Sequence, residues 1–477
     1  MITQRNHRRG SAIAVAVALT GSLVLSSCTA ADDSDVVTIT LAGPNQWNDS
    51  GESFGEAWED LIARFEAEEP GIKVETVVLP IATFGQVLST QLSAGTAPEL
   101  VYSQAPHEPH MVHALDEYLT EPNPYVEGNE RWIDVFNPRY FSLESGQASG
   151  RIEAIPFDLT GVGLSYNADI FEKAGVEAPI ATYADLIDAC TAISAAGYTP
   201  FAMDGSFLGP AWTAQVIFNM MVADYIDDIN VYAADGTPGS APQVTAKSMA
   251  AAVLGGTLST STPEVEEFLV LIKEVFDACA TPNWSGIPAS SGAIIGIQEY
   301  LAGEAGMAWA TVYSYDVLKD ASFTVGGMPF PTITSDSTPL ASGAEAQFGV
   351  APGTQYMISS TTEGAKLDAT IKFLQFVSAP QHVEPWLKAS GGNPAVLGIE
   401  GPEASKAYLE GAWAEPMATG GNTPWGPSSV SILSAYDGYL LGSKSLDEQK
   451  AYLQDLWEQQ ARELVETNGW QSESWAQ

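Results

Sequence analysis

Val36-Val37-Thr38-Ile39-Thr40-Leu41, then Trp58, Leu61, Ile62 and Phe65, then Ile72-Lys73-Val74-Glu75-Thr76-Val77-Val78 decide the fold class. The first run is rich in β-branched residues and ends at Gly43-Pro44, a strand followed by a loop. The four apolar residues recur at i, i+3, i+4 and i+7, one face of a helix that Pro70-Gly71 stops. The third run is again a strand. Strand, helix, strand predicts a parallel pair with a crossover helix, hence an α/β lobe.

The same grammar continues. Ile152 to Pro156 and Gly163 to Tyr166 read as strands, and Tyr183 to Ala195 as a helix with Thr182 and Asp185 in a capping pattern. Thr262-Pro263-Glu264 opens a helix whose Phe268, Leu271, Ile272, Val275 and Phe276 share a face. Ala369 to Val377 and Ser445 to Val465 are helical, the latter with a Ser445/Glu448 capping box. Gly and Ser enrichment around 285–296 and 420–429 marks loops.

Upstream of the first strand, Arg5, Arg8 and Arg9 precede an apolar run from Ala12 to Leu25 and then Leu25-Ser26-Ser27-Cys28, the pattern of an export signal over residues 1–27. The run is shorter than the about 20 apolar residues that a bilayer span needs, and no later stretch reaches that length. Leu25-Ser26-Ser27-Cys28 resembles the bacterial lipobox, which implies an acylated Cys28 and a polar tether over 28–35; the alternative is an ordinary signal peptide cut near a free thiol. Either reading sends the chain out of the cytoplasm.

The chain carries 19 basic and 59 acidic side chains, a formal net charge of −40, which argues against nucleic acid, phosphate-rich ligands and anionic lipid surfaces. With 45% hydrophobic residues over 477 positions, it has material for two or three domains with real cores. Cys190 and Cys279 lie near the ends of two predicted helices and outside any CxxC or metal-ligand spacing. Outside the cytoplasm they can form a disulfide or stay as two buried thiols.

Six stretches, in order, resemble the extracellular solute-binding proteins of ABC importers, of the saccharide-binding type related to maltodextrin-binding protein. They are Phe65 to Val74, Leu92 to Leu100, Ile155-Pro156-Phe157 with Leu164 to Val176, Leu301 to Trp309, Phe373 to Val377, and Gly391-Gly392-Asn393-Pro394. The stretch from Asn219 to Gly256 matches least well. The resemblance implies a two-lobed, periplasmic-binding-protein-like α/β fold with discontinuous lobes, hinge strands and an inter-lobe ligand cleft. It implies a first lobe of 36–155 plus 326–384 and a second of 156–325 plus 385–477, with crossings near Pro156, Pro329 and Asn393. The function implied is a lipid-anchored receptor on the extracellular face of the membrane. It would capture a mono- or oligosaccharide by lobe closure and deliver it to ABC permease subunits, without cofactor or catalysis.

A sugar presents hydroxyls and flat C–H faces, so its cleft needs aromatic platforms and directional polar groups. Asn45 and Trp47 follow the first strand, and Ser103, Gln104 and His107 follow the strand ending at Tyr102, both contact loops by the resemblance. Asp158 and Thr160 either bond a sugar hydroxyl or hold a turn at the hinge. Trp212, Trp309, Tyr313 and Trp425 are the expected further contacts, whereas Trp58, Trp386 and Trp457 lie at helical apolar positions and read as core.

Two rival functions remain open. His107, His110 and His113, with Glu108, could ligate a metal, but steps of three residues drift around a helix, and Pro109 is expected to start one. A secreted glycoside hydrolase would need two carboxylates at a set separation, which 59 acidic residues supply without specificity. The chain has no Gly-x-Ser-x-Gly, His-Glu-x-x-His or Walker motif, and Gly161-Val162-Gly163 lacks the third glycine of a dinucleotide loop.

Overall fold

The N-terminal strand, helix and strand take the expected form. β1 (Val37–Pro44) and β2 (Ile72–Leu79) pair in parallel with Val37 opposite Ile72. The crossover helix Glu56–Glu68 buries Trp58, Leu61, Ile62 and Phe65, the four residues of its apolar stripe. The computed structural model describes residues 36–44, 53–80, 83–143, 151–290, 293–427 and 429–477. The signal segment, Cys28, the tether, Asn45 and Trp47 lie outside them.

The remaining described strands are β3 (Leu100–Tyr102), β4 (Ala154–Pro156), β5 (Asp158–Thr160), β6 (Val162–Asn167), β7 (Thr199–Ala202), β8 (Ala305–Thr311), β9 (Val325–Met328), β10 (Ala351–Pro352), β11 (Gln355–Ile358) and β12 (Asn393–Pro394). They form a five-stranded sheet in the order β2-β1-β3-β11-β4, a four-stranded sheet in the order β7-β8-β6-β9, and a small sheet β10-β5-β12. Two main hydrophobic cores follow. One joins residues from Ile39 to Leu159 with residues from Val350 to Val396. The other joins residues from Val162 to Ala346 with Trp413 and helices near the C-terminus. The chain is therefore two-lobed, and the small sheet holds the strands that cross between the lobes.

The observed crossings revise the expected boundaries. The chain does not cross near Pro329. β9 pairs with β6 from Leu164↔Met328 to Asn167↔Val325, and Phe330, Ile333 and Ala346 bury in the second core. That apolar material stays with the second lobe, so the return crossing falls at β10. Likewise Trp386, Leu387, Ala395 and Val396 bury in the first core, so the first lobe runs past residue 384.

Local sequence signals account for several helix ends. Thr182 accepts from the backbone N–H of Asp185 to start Tyr183–Ala195, and Ser445 with Glu448 forms the capping box of Leu446–Asn468. Asn167 caps Ala168–Ala174, and Gly175 closes it in the left-handed conformation that glycine adopts without steric cost. Cys190 and Cys279 are joined by a disulfide that ties helix Tyr183–Ala195 to helix Pro263–Cys279 in the second lobe. The amphipathic helix expected beyond Pro109 is instead a single 3-10 turn, Pro109–Met111, and a separate short helix, Asp116–Thr120.

Candidate functional site

In open α/β sheets ligands bind outside the carboxyl ends of the strands. β1, β2 and β3 are parallel, so the loops after Pro44 and Tyr102 leave the first sheet at one edge. β11 is antiparallel to both β3 and β4, which brings Gln355 to that edge beside Pro156, and Ser103 donates its backbone N–H to the Gln355 carbonyl at 2.9 Å. In the second lobe, β7 and β8 run parallel, and the Thr311 end of β8 lies opposite Val162, which follows the β5 crossing directly. Both lobes thus turn strand carboxyl ends toward the hinge.

Ser103 is half-buried and Gln104 exposed at the first lobe's edge. His107 is a different matter. Its Nε2 lies 3.1 Å from Glu153 Oε2 and its Nδ1 lies 2.8 Å from the Ala105 carbonyl oxygen. Glu153 also accepts from Arg151 Nε at 2.7 Å. The ring is thereby tied to a partly buried Arg151–Glu153 ion pair that fixes the loop. His113 Nε2 sits 3.0 Å from the Thr362 carbonyl oxygen, and His110 is exposed. His107 and His113 thus face separate partners while His110 faces solvent, and among the described residues no group of three or more His, Cys, Asp or Glu is placed to hold a metal ion.

Asp158, Thr160 and Tyr313 come together at the hinge. Asp158 is 0% exposed, and its Oδ1 accepts the Thr354 N–H at 2.6 Å while its carbonyl accepts the Gly353 N–H at 2.8 Å. The Tyr313 hydroxyl reaches the same point, and burial pushes its pKa well above the ordinary phenol value. A methyl group added at Gly353 would lie 2.5 Å from both Asp158 Oδ1 and the Tyr313 hydroxyl. Asp158 and Tyr313 thereby hold the turn between β10 and β11, while Thr160 pairs with Ala351 in the ladder.

Trp309 is corrected outright. It lies on β8 with 0% exposure, donates its indole N–H to Thr213 Oγ1 at 3.0 Å, and stacks on Phe330 with centroids 5.7 Å apart and planes 6° apart. β8 is buried along its whole length, so alternation gives the side chain no solvent face. Trp212 packs its ring edge-on against Trp309 at 5.9 Å and remains half-buried on helix Leu208–Met221.

Trp425 is half-buried, edge-on to Tyr436 at 6.0 Å, and its backbone N–H donates to Gln460 Oε1 at 3.0 Å. It lines a cavity of about 100 Å³ between helices Ala246–Leu254 and Leu446–Asn468, away from the hinge strands. Phe207 was not anticipated. It sits beyond the carboxyl end of β7, immediately before helix Leu208–Met221, and is 50% exposed. The loop holding it is braced by Asp204, whose carboxylate accepts the N–H groups of Ser206, Ser290 and Gly296, each at 2.9 Å. No strand was expected at Thr199–Ala202, so the sequence offered no positional signal for Phe207, and exposure itself is not written in sequence.

With this geometry in view, the comparisons with known proteins agree. The profile of the bacterial extracellular solute-binding proteins matches residues 48–384, and the chain belongs to that family. A chitin oligosaccharide binding protein shares the fold with a TM-score of 0.65 at 18% identity, over 90% of this chain and 99% of that one. The solute-binding protein RafE in complex with raffinose gives 0.63 at 17%, over 89% and 100%. The cyclic α-maltosyl-1,6-maltose binding protein of Arthrobacter globiformis gives 0.55 at 18%, over 89% and 99%. A binding protein of Brucella abortus is 30% identical over 153 residues, so the chain spans about a third of the length of that relative. The protein is a solute-binding protein rather than an enzyme, and no helix among the described residues is long and apolar enough to cross a membrane.

Proposed function

We propose that this chain is the lipid-anchored receptor of an ABC importer, capturing a sugar, in the first place an oligosaccharide, by lobe closure and presenting it to the permease. The observation that carries the reading is the pair of lobes with strand carboxyl ends turned toward a three-stranded hinge, fringed by Gln104 on one side and by Phe207 and Trp212 on the other. Asn45 and Trp47 complete the first lobe's share. The aromatic residues stack on sugar C–H faces, and the amides and backbone groups bond hydroxyls. A ligand held by both lobes stabilises the closed form, which is what a permease can tell from the empty one. Structurally similar proteins named for raffinose, chitin oligosaccharide and maltosyl-maltose support a saccharide ligand. The acylated Cys28 holds the receptor at the membrane, because a chain of net charge −40 gains nothing from an anionic surface.

Thermal unfolding of the chain from residue 29 onward, against mono- and oligosaccharides, polyols, peptides, zinc and manganese, tests the reading. A ligand at 100 times its dissociation constant adds about 2.7 kcal/mol. Stabilisation by one saccharide class is the expected result. Stabilisation by metal alone, or by no saccharide, overturns it.

A further inference from the structure

We infer that Asp204 is a positioning residue for the sugar site: one buried carboxylate fastens the Phe207 loop and the loop at 285–290 into a single wall of the second lobe, and so raises sugar affinity without touching sugar. This rests on the receptor reading above. Strand pairing gives the geometry. β7 runs beside β8 only as far as Ala202↔Ala308, whereas β8 continues to Thr311. The edge that β7 leaves is taken by residues 293–295. There Ile294 bridges Ala310 antiparallel, Ile295 donates its N–H to the Trp309 carbonyl, and Thr311 donates to the Ala293 carbonyl, both at 2.9 Å. The chain leaving β7 and the chain arriving along β8 therefore part at the carboxyl edge of the second sheet, the edge turned toward the hinge, and Asp204 stands in the fork.

The carboxylate reaches both branches of that fork. Oδ1 accepts the N–H of Ser206, and Oδ2 accepts those of Ser290 and Gly296 together with the Ser290 hydroxyl. A buried carboxylate is costly unless its lone pairs are bonded, so four donors hold it firmly. Two of its partners lie 86 and 92 positions further along the chain, which makes Asp204 a tie between loops that sequence keeps apart. The branches also meet through their backbones. Gly205 donates its N–H to the Ile287 carbonyl at 2.9 Å, and a methyl group added at Gly205 would lie 2.7 Å from that oxygen. Outward of the tie stand Phe207 on one branch and Pro288 and Ala289 on the other, all exposed. Exposed loops gain little order from burial, so polar ties set it. β7 and β8 are anchored separately by Phe201, Met307 and Trp309 in the second core, so loss of the carboxylate loosens the wall before it unfolds the lobe. A wall already ordered when sugar arrives spares the ordering entropy that binding otherwise costs.

The test uses Asp204→Asn, which keeps the shape but leaves one accepting oxygen, and the milder Ser290→Ala. In amide hydrogen exchange of the ligand-free proteins, Ser206, Ser290 and Gly296 should exchange about tenfold faster in Asp204→Asn while β8 keeps its protection, and the Ser290 amide alone should quicken in Ser290→Ala. Calorimetric titration with raffinose, maltotriose and chitotriose should show Asp204→Asn binding about tenfold more weakly, with a less favourable entropy. Saturating sugar should restore protection at Ser290 and Gly296, which a brace with no part in the site would not do. Unchanged exchange, or faster exchange with unchanged affinity, overturns the assignment. If Asp204→Asn does not fold, Ser290→Ala decides by the same pair of readings. If the unsubstituted chain binds none of these sugars, the receptor reading fails instead, and exchange in the ligand-free proteins still decides whether Asp204 ties the two loops.

Discussion

Replacing Trp309 distinguishes a core residue from a ligand platform, and the structure fixes the magnitude. The ring is enclosed by Phe330 at 5.7 Å, Trp212 at 5.9 Å, Phe201 at 6.1 Å and Phe348 at 6.2 Å, and its N–H is satisfied by Thr213. Aromatic pairs contribute about 0.5–1.5 kcal/mol each beyond area burial, and truncating a buried tryptophan to alanine costs about 3–5 kcal/mol once the cavity is included. Thr213 is not orphaned, since its hydroxyl also donates to the Gly209 carbonyl at 2.8 Å. At lobe scale Trp309→Ala should lower the melting temperature by roughly 6–20 °C, and Trp309→Phe, which keeps one ring over Phe330, by less. Urea unfolding followed by circular dichroism, with sugar titration of the folded fraction, separates the outcomes. If Trp309→Ala unfolds like the parent but no longer binds sugar, the side chain reaches ligand and its place in the core is wrong.

Four further outcomes are expected. Replacing both Cys190 and Cys279 by alanine opens a loop spanning 89 residues and should cost up to about 4–5 kcal/mol, read by chemical denaturation; a loss under about 1 kcal/mol would mean that the bridge constrains nothing. Trp47→Ala should weaken sugar binding at least tenfold, or about 1.4 kcal/mol, with unfolding nearly unchanged, and normal binding removes Trp47 from the site. Cys28→Ser should move the protein from the membrane fraction to the medium, and retention at the membrane refutes acylation as the anchor. Gly353→Ala should cost about 1–3 kcal/mol in thermal unfolding, because the new methyl group meets two hinge side chains at 2.5 Å; a silent substitution would show that the turn has slack.

The α/β lobe was legible because its signals are local: β-branched runs, a helical stripe, Pro-Gly stops and capping residues lie within a few positions of what they determine. The crossing at β10 was not, because nothing near Pro329 records that Phe330 must stack on Trp309 twenty-one positions earlier. Site residues divided the same way. Gln104 follows the strand end at Tyr102, a place that sequence can mark, whereas the strand before Phe207 carried no such mark. Trp309 follows from the burial of both faces of β8, and His107 from Glu153 lying 46 positions away, facts of packing that one chain read in order does not display.

The interleaving of the lobes along the chain bears on how a solute-binding protein of this fold can move. The first sheet is complete only when β11 is inserted between β3 and β4, so the entire second-lobe sheet is an insertion within the first lobe. Separation of this size costs little free energy, since loop-closure entropy grows only with the logarithm of length, although pairing so distant slows folding. The arrangement forces the chain through the boundary repeatedly, and β10, β5 and β12 are hydrogen-bonded side by side where it passes. A single linker would let two lobes swivel in any direction. Three paired strands resist shear and twist and leave bending as the soft motion, which is the motion that capture by closure, as proposed, requires.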